Sequence, residues 1–417
     1  MVSELESRDF IIATAEEIKK AKTTDVYFIR TLEVLKGDGL TDVKVNAEVS
    51  VSGFPKKPRR YPWVVFGGLR DVAKLFEGLP VDIDAVPEGT IIFDKDINGV
   101  RMPVMNIRGR YADFLLYETP MLGFLAAGSG FATKAARIRK VAGKTVVLSF
   151  GARRNHPALA PFIDYYAYIG GCDGVSVILS AEILGKKPSG TMPHSLLIIY
   201  RFEKGDHKYG WIAFDKHVPK DVPRILLSDT FYDEVEEAIR GIEAVGPEKV
   251  WGVRFDTPSS RRGDFPSIVR EAIWKLKTKG YGHVKILVSG GIDEDDIPEL
   301  IKAGVSGFGV GSSISNAPLI DFAMDITAIM KDNKWMPITK RGKFDGIKRV
   351  WRCHTEDGFY DVVTREDEEK PCNSAESLMK PLIRNGKIVY NFPSPDETRR
   401  YVLKQLEKVD LYKKPWE

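Results

Sequence analysis

The sequence predicts an α/β protein: an incomplete (β/α) barrel preceded by an α+β N-terminal domain and followed by a small, hairpin-rich C-terminal domain. Three observations support this prediction. Apolar and polar residues alternate over much of the first hundred or so residues, as in antiparallel strands. Short apolar runs then alternate with helical patterns, and beyond residue 331 this alternation stops. We place the domains at residues 1–115, 143–330 and 331–417, with a linking helix to about residue 142.

The N-terminal domain is predicted from two kinds of pattern. Residues 10–36 show a charged, amphipathic pattern typical of helices, in which Thr24 and Asp25 provide a cap. Segments with a period of two, bounded by Gly, Pro and Asp, predict antiparallel strands at residues 43–51, 90–93 and 102–107. From Tyr111 to Val141 the pattern is helical throughout. The first domain is therefore α+β, and a long helix leads out of it.

The barrel is predicted from short apolar runs, each about long enough for one strand. They lie at residues 145–150, 174–178, 196–200, 223–227, 249–255, 284–289 and 306–310. Helical patterns such as Asp229–Glu243 separate most of them, which indicates parallel βαβ units. This number of units in under about two hundred residues favours a barrel, or an incomplete one, over an open sheet. Polar residues that follow the strands should line one face of it, where active sites lie.

The C-terminal domain is predicted to consist of hairpins with charged turns. These hairpins lie at residues 340–346, 362–370 and 382–390, and a final helix should run from about Asp396 to Lys408 behind a cap at Ser394. A domain this small could use a structural Zn²⁺ ion. Its candidate ligands are Cys353, His354 and Cys372, and two ordinary thiols are the equally weighted alternative.

Composition excludes several classes of protein. Lys and Arg number 62 against 58 Asp and Glu, and both signs are mixed along the chain, so we expect no nucleic-acid partner. The basic patch at residues 56–60 is predicted to be a solvated loop. No apolar run is long enough to span a bilayer, and the N-terminus carries no signal-peptide core. Three cysteines do not make a disulfide framework, which favours a reducing, cytoplasmic setting.

Two glycine-rich loops follow the last two predicted strands. Ser289-Gly-Gly291 precedes a predicted helix whose first turn is Asp293-Glu-Asp-Asp296, and Gly309-Val-Gly-Ser-Ser313 ends the next strand. Such loops expose backbone N–H groups, and a pair of them after the last two strands makes a common barrel phosphate site. The alternative is that the glycines only permit tight turns. The pattern therefore predicts a phosphorylated ligand without naming the reaction.

Charged and aromatic side chains collect at the other strand ends. Asp229 and Asp256 could hold ribose hydroxyls or Mg²⁺, which prefers carboxylate and substrate oxygens. The guanidinium forks of Arg153, Arg154 and Arg254 suit phosphate or carboxylate. Each would more often be a surface ion pair if it stood alone. With Phe150, Asp173 and His194 also in such positions, they predict a site for a phosphorylated, planar-ring substrate.

Several short motifs occur in the order found in one enzyme family. They are Thr24-Asp-Val-Tyr27, Glu118-Thr-Pro-Met-Leu122, Phe150-Gly-Ala-Arg-Arg154, Gly170-Gly-Cys-Asp173, Gly190-Thr-Met-Pro-His-Ser195, Ser228-Asp-Thr230 and Arg254-Phe-Asp256. Over about residues 11–314 the chain resembles the nicotinate phosphoribosyltransferases, which share the type II phosphoribosyltransferase fold with the nicotinamide enzyme. The segment Gly-Thr-x-x-His-Ser is the most diagnostic part of this resemblance.

The resemblance implies transfer of the phosphoribosyl group of phosphoribosyl pyrophosphate to nicotinate, giving nicotinate mononucleotide and pyrophosphate on the salvage route to NAD. It implies a homo-oligomer built from head-to-tail dimers, in which the pyridine ring stacks on Phe150 and on the partner subunit's Tyr27. Arg254 is expected near the nicotinate carboxylate. Arg153 or Arg154 is expected at the pyrophosphate or carboxylate end.

The resemblance also assigns the remaining substrate contacts. Asp229 and Asp256 would contact ribose and Mg²⁺. Further substrate-binding residues come from the matching motifs and glycine loops, namely Asp173, Thr191, Ser195, Gly290, Gly291, Gly311 and Ser312. His194 matches a histidine that many members phosphorylate from ATP, so we expect turnover to be stimulated by ATP. The alternative is that this histidine only binds a substrate phosphate.

Departures from the family pattern keep other hypotheses open. Most relatives follow Arg-x-Asp with Ser-Gly-Asp, but here residues 257–264 form a longer and more basic loop. Quinolinate phosphoribosyltransferase shares the fold, although the Gly-Thr-Met-Pro-His-Ser loop argues against it. The nicotinamide enzyme is a second alternative, since Asp173 could face an amide. A barrel that binds nucleotides as a regulator, without catalysis, is the alternative from another class.

Overall fold

The computed structural model describes residues 8–56, 60–257, 259–356 and 358–417. The chain forms two compact units, Met1–Gly130 with Pro318–Glu417, and Phe131–Ala317. The regions that the sequence assigned to separate N-terminal and C-terminal domains therefore share one unit. Most of the basic patch at residues 56–60 lies outside the described residues. Among the described residues, no helix is both long and apolar enough to cross a membrane.

The first unit is built on a seven-stranded antiparallel sheet. Its strands lie in the order Lys334–Pro337, Asp321–Lys331, Lys44–Gly53, Pro103–Arg110, Asp82–Ala85, Lys380–Arg384 and Lys387–Ile388. Two smaller sheets consist of Phe359–Arg365, Lys348–His354 and Ala375–Ser377, and of Val64–Val65 and Ile91–Ile92. The helices are Ala15–Lys19, Val26–Gly37, Leu69–Phe76, Tyr111–Phe114, Leu115–Tyr117, Pro395–Leu406 and the start of Glu118–Ala142.

The central strand Lys44–Gly53 explains why both ends of the chain join. Its residues alternate between polar and apolar as predicted, yet most of them are buried on both faces. The polar side chains find partners that come from the C-terminal region: Asn46 donates to Thr327 at 2.9 Å, and Lys348 binds Glu48 at 2.7 Å. Because a buried polar group is costly without a partner, this face of the strand requires the C-terminal residues.

Local predictions in this unit are confirmed in part. The helical pattern at residues 10–36 is interrupted at Ala21, which has a φ of 56°, so that two helices form instead of one. The hairpin at 382–390 is confirmed, with Asn385 and Gly386 at positive φ in its turn. The final helix begins behind Ser394 in a capping box. No strand forms at residues 340–346, where a hairpin was predicted.

The second unit is built on a six-stranded sheet in which every pairing is parallel. Its strands lie in the order Gly174–Val175, Val146–Ser149, Gly307–Val310, Lys285–Val288, Val250–Phe255 and Arg224–Leu227. The helices are the end of Glu118–Ala142, Ala152–Arg154, Pro157–Leu159, Ala160–Gly170, Ile178–Leu184, His194–Lys204, Lys208–His217, Glu234–Val245, Ser259–Arg262, Phe265–Thr278, Ile297–Ala303 and Ser312–Ser315. This arrangement confirms the incomplete (β/α) barrel.

One predicted barrel strand is wrong. The apolar run at residues 196–200 belongs to the helix His194–Lys204, where Leu197 is buried while Ile198, Ile199 and Phe202 are exposed. A five-residue apolar run fits a strand or a helix equally well, so periodicity alone could not decide. Without this strand the described sheet is open between Gly174–Val175 and Arg224–Leu227.

Candidate active site

A cavity of about 520 Å³ lies at the carboxyl-terminal edge of the parallel sheet in the second unit. It is lined by Phe150, Arg153, Arg154, Ser176, Gly190, Thr191, Met192, Pro193, His194, Ser195, Arg254, Asp256, Ser289, Gly290, Gly291, Gly309, Gly311 and Ser312. The set includes both glycine loops, the three predicted arginines and the whole Gly190–Ser195 segment. Parallel strands bring their carboxyl ends to one edge, which is why residues so far apart in sequence meet here.

The glycines of the two loops meet steric as well as conformational demands. Gly290 and Gly291 have φ values of 85° and 75°, which side chains rarely adopt. A Cβ at Gly290 would also lie 2.6 Å from the carbonyl oxygen of Asp256. At Gly309 a Cβ would lie 2.5 Å from the ring of Phe150. The tight-turn explanation is thus correct for Gly290 and Gly291, whereas Gly309 lies in the strand Gly307–Val310 and is required by close packing. Glycines of both loops line the cavity.

The predicted helix after the first loop begins later than expected, at Ile297 instead of Asp293. Residues 294–296 form a turn, and the Asp293 carboxylate makes contacts outside that turn. It binds Lys134 Nζ at 2.6 Å and accepts from the Ser313 hydroxyl at 2.8 Å. The Asp293 contact with Ser313 ties the two glycine loops together. Their geometry is therefore fixed by a charged contact as well as by backbone turns.

Asp229 is a deeply buried acid at this edge, with a side chain that is 2% exposed. Its Oδ2 accepts from the backbone N–H of Asp256 at 2.5 Å and from the Thr257 hydroxyl at 2.8 Å. Burial raises the pKa of Asp229, although these two hydrogen bonds oppose the rise. Its Oδ1 is buried and has no hydrogen-bond partner in the described structure. The position suits a ligand that brings its own donor or cation.

Asp256 follows the strand Val250–Phe255, and its pKa is lowered whereas that of Asp229 is raised. Burial tends to raise its pKa, but contact with His194, a hydrogen bond from Ser289 at 2.6 Å and the charge of Arg254 outweigh burial and lower it. Asp256 is therefore an anion over the whole neutral range, next to a cationic guanidinium. The two aspartates differ in environment, and such differences are common in catalytic sites.

His194 is the first residue of its helix and lies between these carboxylates. Its Nδ1 contacts the Thr230 hydroxyl at 3.1 Å, and its Nε2 lies 3.7 Å from Asp256 and 3.9 Å from Asp229. The Asp256 carboxylate raises the pKa of His194, burial opposes the rise, and Asp229 adds to it. A carboxylate beside Nε2 favours the tautomer with its proton there, leaving the lone pair on Nδ1.

Arg254 makes two hydrogen bonds, and its Nη1 also lies 3.5 Å from the Asp256 carboxylate. Its Nη1 donates to the Ser289 hydroxyl at 3.1 Å and its Nη2 to the Met192 carbonyl at 2.9 Å. Its Nε is buried and makes no hydrogen bond in the described structure. Burial lowers the pKa of Arg254, and Asp256 and Asp229 only partly compensate. Arg153 and Arg154, on the short helix Ala152–Arg154, are exposed by contrast.

Three predicted site residues do not line this cavity, and the buried Asp229 is the first of them. Asp173 precedes the strand Gly174–Val175, at the end of the strand away from the cavity, where it pairs with Arg139 and accepts from the Val147 N–H at 2.8 Å. Its predicted contact with substrate is therefore wrong. Tyr27 belongs to the helix Val26–Gly37 of the other unit and is 54% exposed. Its role at a partner's site stays a prediction.

The predicted zinc ligands form a different structure. Cys353 and Cys372 are joined in a disulfide with a Cα–Cα distance of 6.3 Å, and His354 lies 3.4 Å from Glu376. No group of three or more potential metal ligands occurs in the part of the chain that the structure describes. Sulfur atoms bonded to each other cannot act as thiolate ligands, so these residues do not form a zinc site in this state. Cys172 is a buried thiol.

Sequence reasoning missed several supporting residues. His207 is fully buried against Glu237. No sequence motif surrounds Glu237, so only the folded structure shows that it binds the backbone of residues 230–232. Ser176 and Met192 line the cavity as small and apolar residues. In the basic loop, Asp264 caps the helix Phe265–Thr278 through Ser267, which leaves it a structural role.

Comparison with known proteins agrees with this geometry. Models of the N-terminal and C-terminal domains of quinolinate phosphoribosyl transferase match residues 25–129 and 131–325. The crystal structure of nicotinate-nucleotide pyrophosphorylase from Pyrococcus furiosus is 47% identical, with a TM-score of 0.88 over 96% of this chain and 98% of that one. A nicotinate phosphoribosyltransferase of Mycobacterium tuberculosis is 29% identical over 338 residues, 78% of this chain and 68% of that protein.

A solved human structure extends the comparison of folds. Human nicotinic acid phosphoribosyltransferase is 19% identical and has a TM-score of 0.74 over 93% of this chain and 94% of that one. The two domain models together cover most of the chain, and the arrangement of strands and site loops is the one expected from the motifs. The chain belongs to the nicotinate phosphoribosyltransferase family of enzymes, which shares its two domains with quinolinate phosphoribosyl transferase.

Proposed function

We propose that the protein transfers the phosphoribosyl group of phosphoribosyl pyrophosphate to nicotinate, forming nicotinate mononucleotide and pyrophosphate in NAD salvage. The observation that supports this most is the composition of the cavity, in which two glycine loops, an aspartate, a histidine and three arginines converge. Phosphoribosyl pyrophosphate carries phosphate at both ends, and nicotinate carries a carboxylate. A cavity with separate anion-binding groups along one edge suits both substrates.

The geometry supports a particular arrangement of the substrates. The 5′-phosphate would lie on the backbone N–H groups around Gly290, Gly291, Gly311 and Ser312. The pyridine ring would stack on Phe150, whose ring is held against the backbone at Gly309. Arg254 would bind the nicotinate carboxylate and use its unpartnered Nε. The exposed Arg153 and Arg154 would bind pyrophosphate, since their side chains are free to follow a leaving group.

Asp229 and Asp256 fit a role in binding Mg²⁺ and ribose. The buried Oδ1 of Asp229 lacks a hydrogen-bond partner, and carboxylate together with substrate oxygens is the ligand set that Mg²⁺ prefers. The ion would offset negative charge on the departing pyrophosphate. The protein's own contribution is orientation: it holds the ring nitrogen opposite the leaving group while positive charge develops on the ribose.

His194 is the proposed site of ATP coupling. With the Nε2 proton directed at the carboxylates, Nδ1 is the nitrogen with an available lone pair, and it would accept the phosphoryl group once the Thr230 hydroxyl moves aside. We further propose a head-to-tail dimer in which the partner subunit's Tyr27 covers the pyridine ring. The exposed position of Tyr27 is compatible with such a contact.

The position of Asp173 weakens the nicotinamide alternative. That hypothesis needs an acid opposite the amide, and Asp173 is engaged by Arg139 outside the cavity. Quinolinate carries two carboxylates and would need more basic groups around the ring. Within the cavity lining, only Arg254 is a basic residue with a mostly buried side chain. Nicotinate, with one carboxylate, fits this charge balance better.

The test is pyrophosphate release from phosphoribosyl pyrophosphate and Mg²⁺ with nicotinate, nicotinamide or quinolinate, each with and without ATP. We expect release with nicotinate only, and faster release with ATP. Release with nicotinate at a rate that ATP does not change would support the transferase activity and contradict the proposed phosphorylation of His194. Release with another pyridine would move the assignment to a sister enzyme. No release with any of the three would favour a regulatory barrel.

A further inference from the structure

Glu237 is a fully buried acid that the proposed chemistry does not use. It lies in the first turn of the helix Glu234–Val245, and its carboxylate accepts from three consecutive backbone N–H groups: Thr230 at 2.7 Å, Phe231 at 2.7 Å and Tyr232 at 3.2 Å. Burial raises its pKa, and these three hydrogen bonds oppose the rise. A buried carboxylate is costly, so its position needs a reason beyond packing.

The segment that Glu237 holds is part of the active site. Asp229 precedes it directly and accepts from the Asp256 N–H and the Thr257 hydroxyl. Thr230, whose N–H binds Glu237, contacts Nδ1 of His194 through its hydroxyl. The turn after the strand Arg224–Leu227 therefore connects Glu237 on one side with His194 and Asp256 on the other.

The surroundings of Glu237 keep water away and limit its movement. His207 is fully buried, and its Nε2 lies 3.1 Å from Glu237 Oε1. The His207 ring packs against Trp211, with centroids 4.8 Å apart, and against Phe231 at 5.1 Å. Burial lowers the pKa of His207, which keeps it neutral near pH 7. In such surroundings water cannot replace the carboxylate as acceptor for the three N–H groups.

We propose that Glu237 is a positioning residue for this site, fixing Asp229 and Thr230 so that His194 is held against the carboxylate pair. This inference rests on the proposed transferase function, because the contacts concerned are those of the proposed phosphohistidine and ribose site. Glu237 touches neither His194 nor the cavity lining. It acts through the backbone of residues 230–232.

The main test compares Glu237→Gln with the matched control Glu236→Gln. Glu236 is the neighbouring acid on the same helix, but its side chain is 52% exposed. In E237Q one carboxylate oxygen is replaced by an NH₂ group, which cannot accept a hydrogen bond from the backbone N–H groups that face it. We therefore expect kcat for nicotinate mononucleotide synthesis to fall about tenfold, with smaller changes in KM. E236Q should behave like the wild type. Thr230→Val removes only the hydroxyl contact to His194 and should reproduce part of the loss of kcat.

A second readout needs no substrate. Hydrogen–deuterium exchange with peptide mapping reports how often the turn at residues 230–232 opens, because its three N–H groups exchange only when their hydrogen bonds to Glu237 break. In E237Q these hydrogen bonds are weakened, so we expect exchange in this segment to be faster than in E236Q.

Two results would overturn the inference. One is a folded E237Q variant whose kcat and exchange rate at residues 230–232 both equal those of E236Q. The other is a loss of activity that only matches the unfolded fraction in a thermal scan, with exchange at residues 230–232 unchanged. Failure of the proposed function would look different: the wild type itself would turn over no pyridine, while the difference in exchange between E237Q and E236Q would still be measurable.

Discussion

Two buried arginines, one in each unit, differ in how completely the fold pairs them. Arg352 in the first unit uses all three guanidinium nitrogens: Nε and Nη2 bind Asp361 at 2.8 Å, and Nη1 binds Gln405 at 3.0 Å. Arg254 in the second unit binds Ser289 and Met192 through its terminal nitrogens, but its buried Nε makes no hydrogen bond in the described structure.

The pKa shifts of the two arginines differ in the same way as their hydrogen bonding. At Arg352 burial tends to lower the pKa, but the charge and hydrogen bonds of Asp361 outweigh it, and the pKa rises. At Arg254 burial prevails and the pKa falls, although Asp256 and Asp229 oppose it. Arg352 is therefore compensated within the fold, whereas Arg254 gains from an added anion. Incomplete compensation of a buried charge in a cavity is a mark of function.

The largest effect on stability is expected from Arg352→Met. The substitution leaves Asp361, which is fully buried, without its counter-charge. We expect the free energy of unfolding to drop by about 3–5 kcal/mol. Activity per folded molecule should stay near the wild-type value. Urea denaturation measures the first quantity, and Arg349→Met, at an exposed arginine of the same strand, is the control. A urea midpoint for R352M equal to that of the wild type would show that Arg352 does not stabilise the fold.

Arg254→Met should give the opposite pattern. Loss of a buried donor to a reacting substrate costs about 10²–10³ in kcat/KM. Because Arg254 is incompletely paired, the melting temperature should stay the same or rise slightly. Steady-state assays with nicotinate and a thermal scan test both points. If R254M melts as early as R352M, Arg254 is a structural residue after all.

The disulfide provides a smaller stabilisation in the first unit. Cys353 and Cys372 are 19 residues apart, and closing a loop of this length stabilises a fold by about 3 kcal/mol through the unfolded state. The double variant Cys353→Ser/Cys372→Ser should unfold at lower denaturant concentration with its activity retained. Reductant should lower the midpoint of the wild type and leave that of the double variant where it is. Equal midpoints under oxidising conditions would show that the bond does not form in solution.

A pH-dependent effect, smaller than these, is expected at Glu118. Burial raises its pKa to about 7, Asp325 adds to the rise and Lys340 opposes it. A carboxyl whose folded pKa lies above its unfolded value stabilises the fold at low pH. This stabilisation declines as pH rises from about 4.5 to about 7. Glu118→Gln should therefore flatten the dependence of melting temperature on pH across this window. A slope identical to the wild type would assign the effect to another group.

Much of the second unit could be predicted because its chemistry is local in sequence. The glycine loops, Asp256 and the Gly190–Ser195 segment flank short apolar runs, and Arg254 lies near the end of one. The parallel sheet brings them together. The helix at His194–Lys204 was missed because five apolar residues fit either kind of element. Asp173 was misplaced because it precedes a strand instead of following one.

The first unit was harder to predict because its structure depends on long-range pairing. Nothing in the pattern at residues 43–51 shows that Asp321–Lys331 is its neighbour, nor that Lys348 neutralises Glu48. The two cysteines were considered as zinc ligands or ordinary thiols, and only the pairing of the strand Lys348–His354 with Ala375–Ser377 brings Cys353 next to Cys372. Glu237 and His207 were missed for the same reason, since their contacts are tertiary.

The most direct test of the central claim is calorimetric titration of nicotinate mononucleotide into the wild type, R254M and R352M. The ligand carries both the carboxylate proposed for Arg254 and the phosphate proposed for the glycine loops. We expect binding by the wild type and by folded R352M with similar affinity, and at least tenfold weaker binding by R254M. Equal affinity for R254M and the wild type would contradict the claim that the incompletely paired arginine is the one that recognises the substrate.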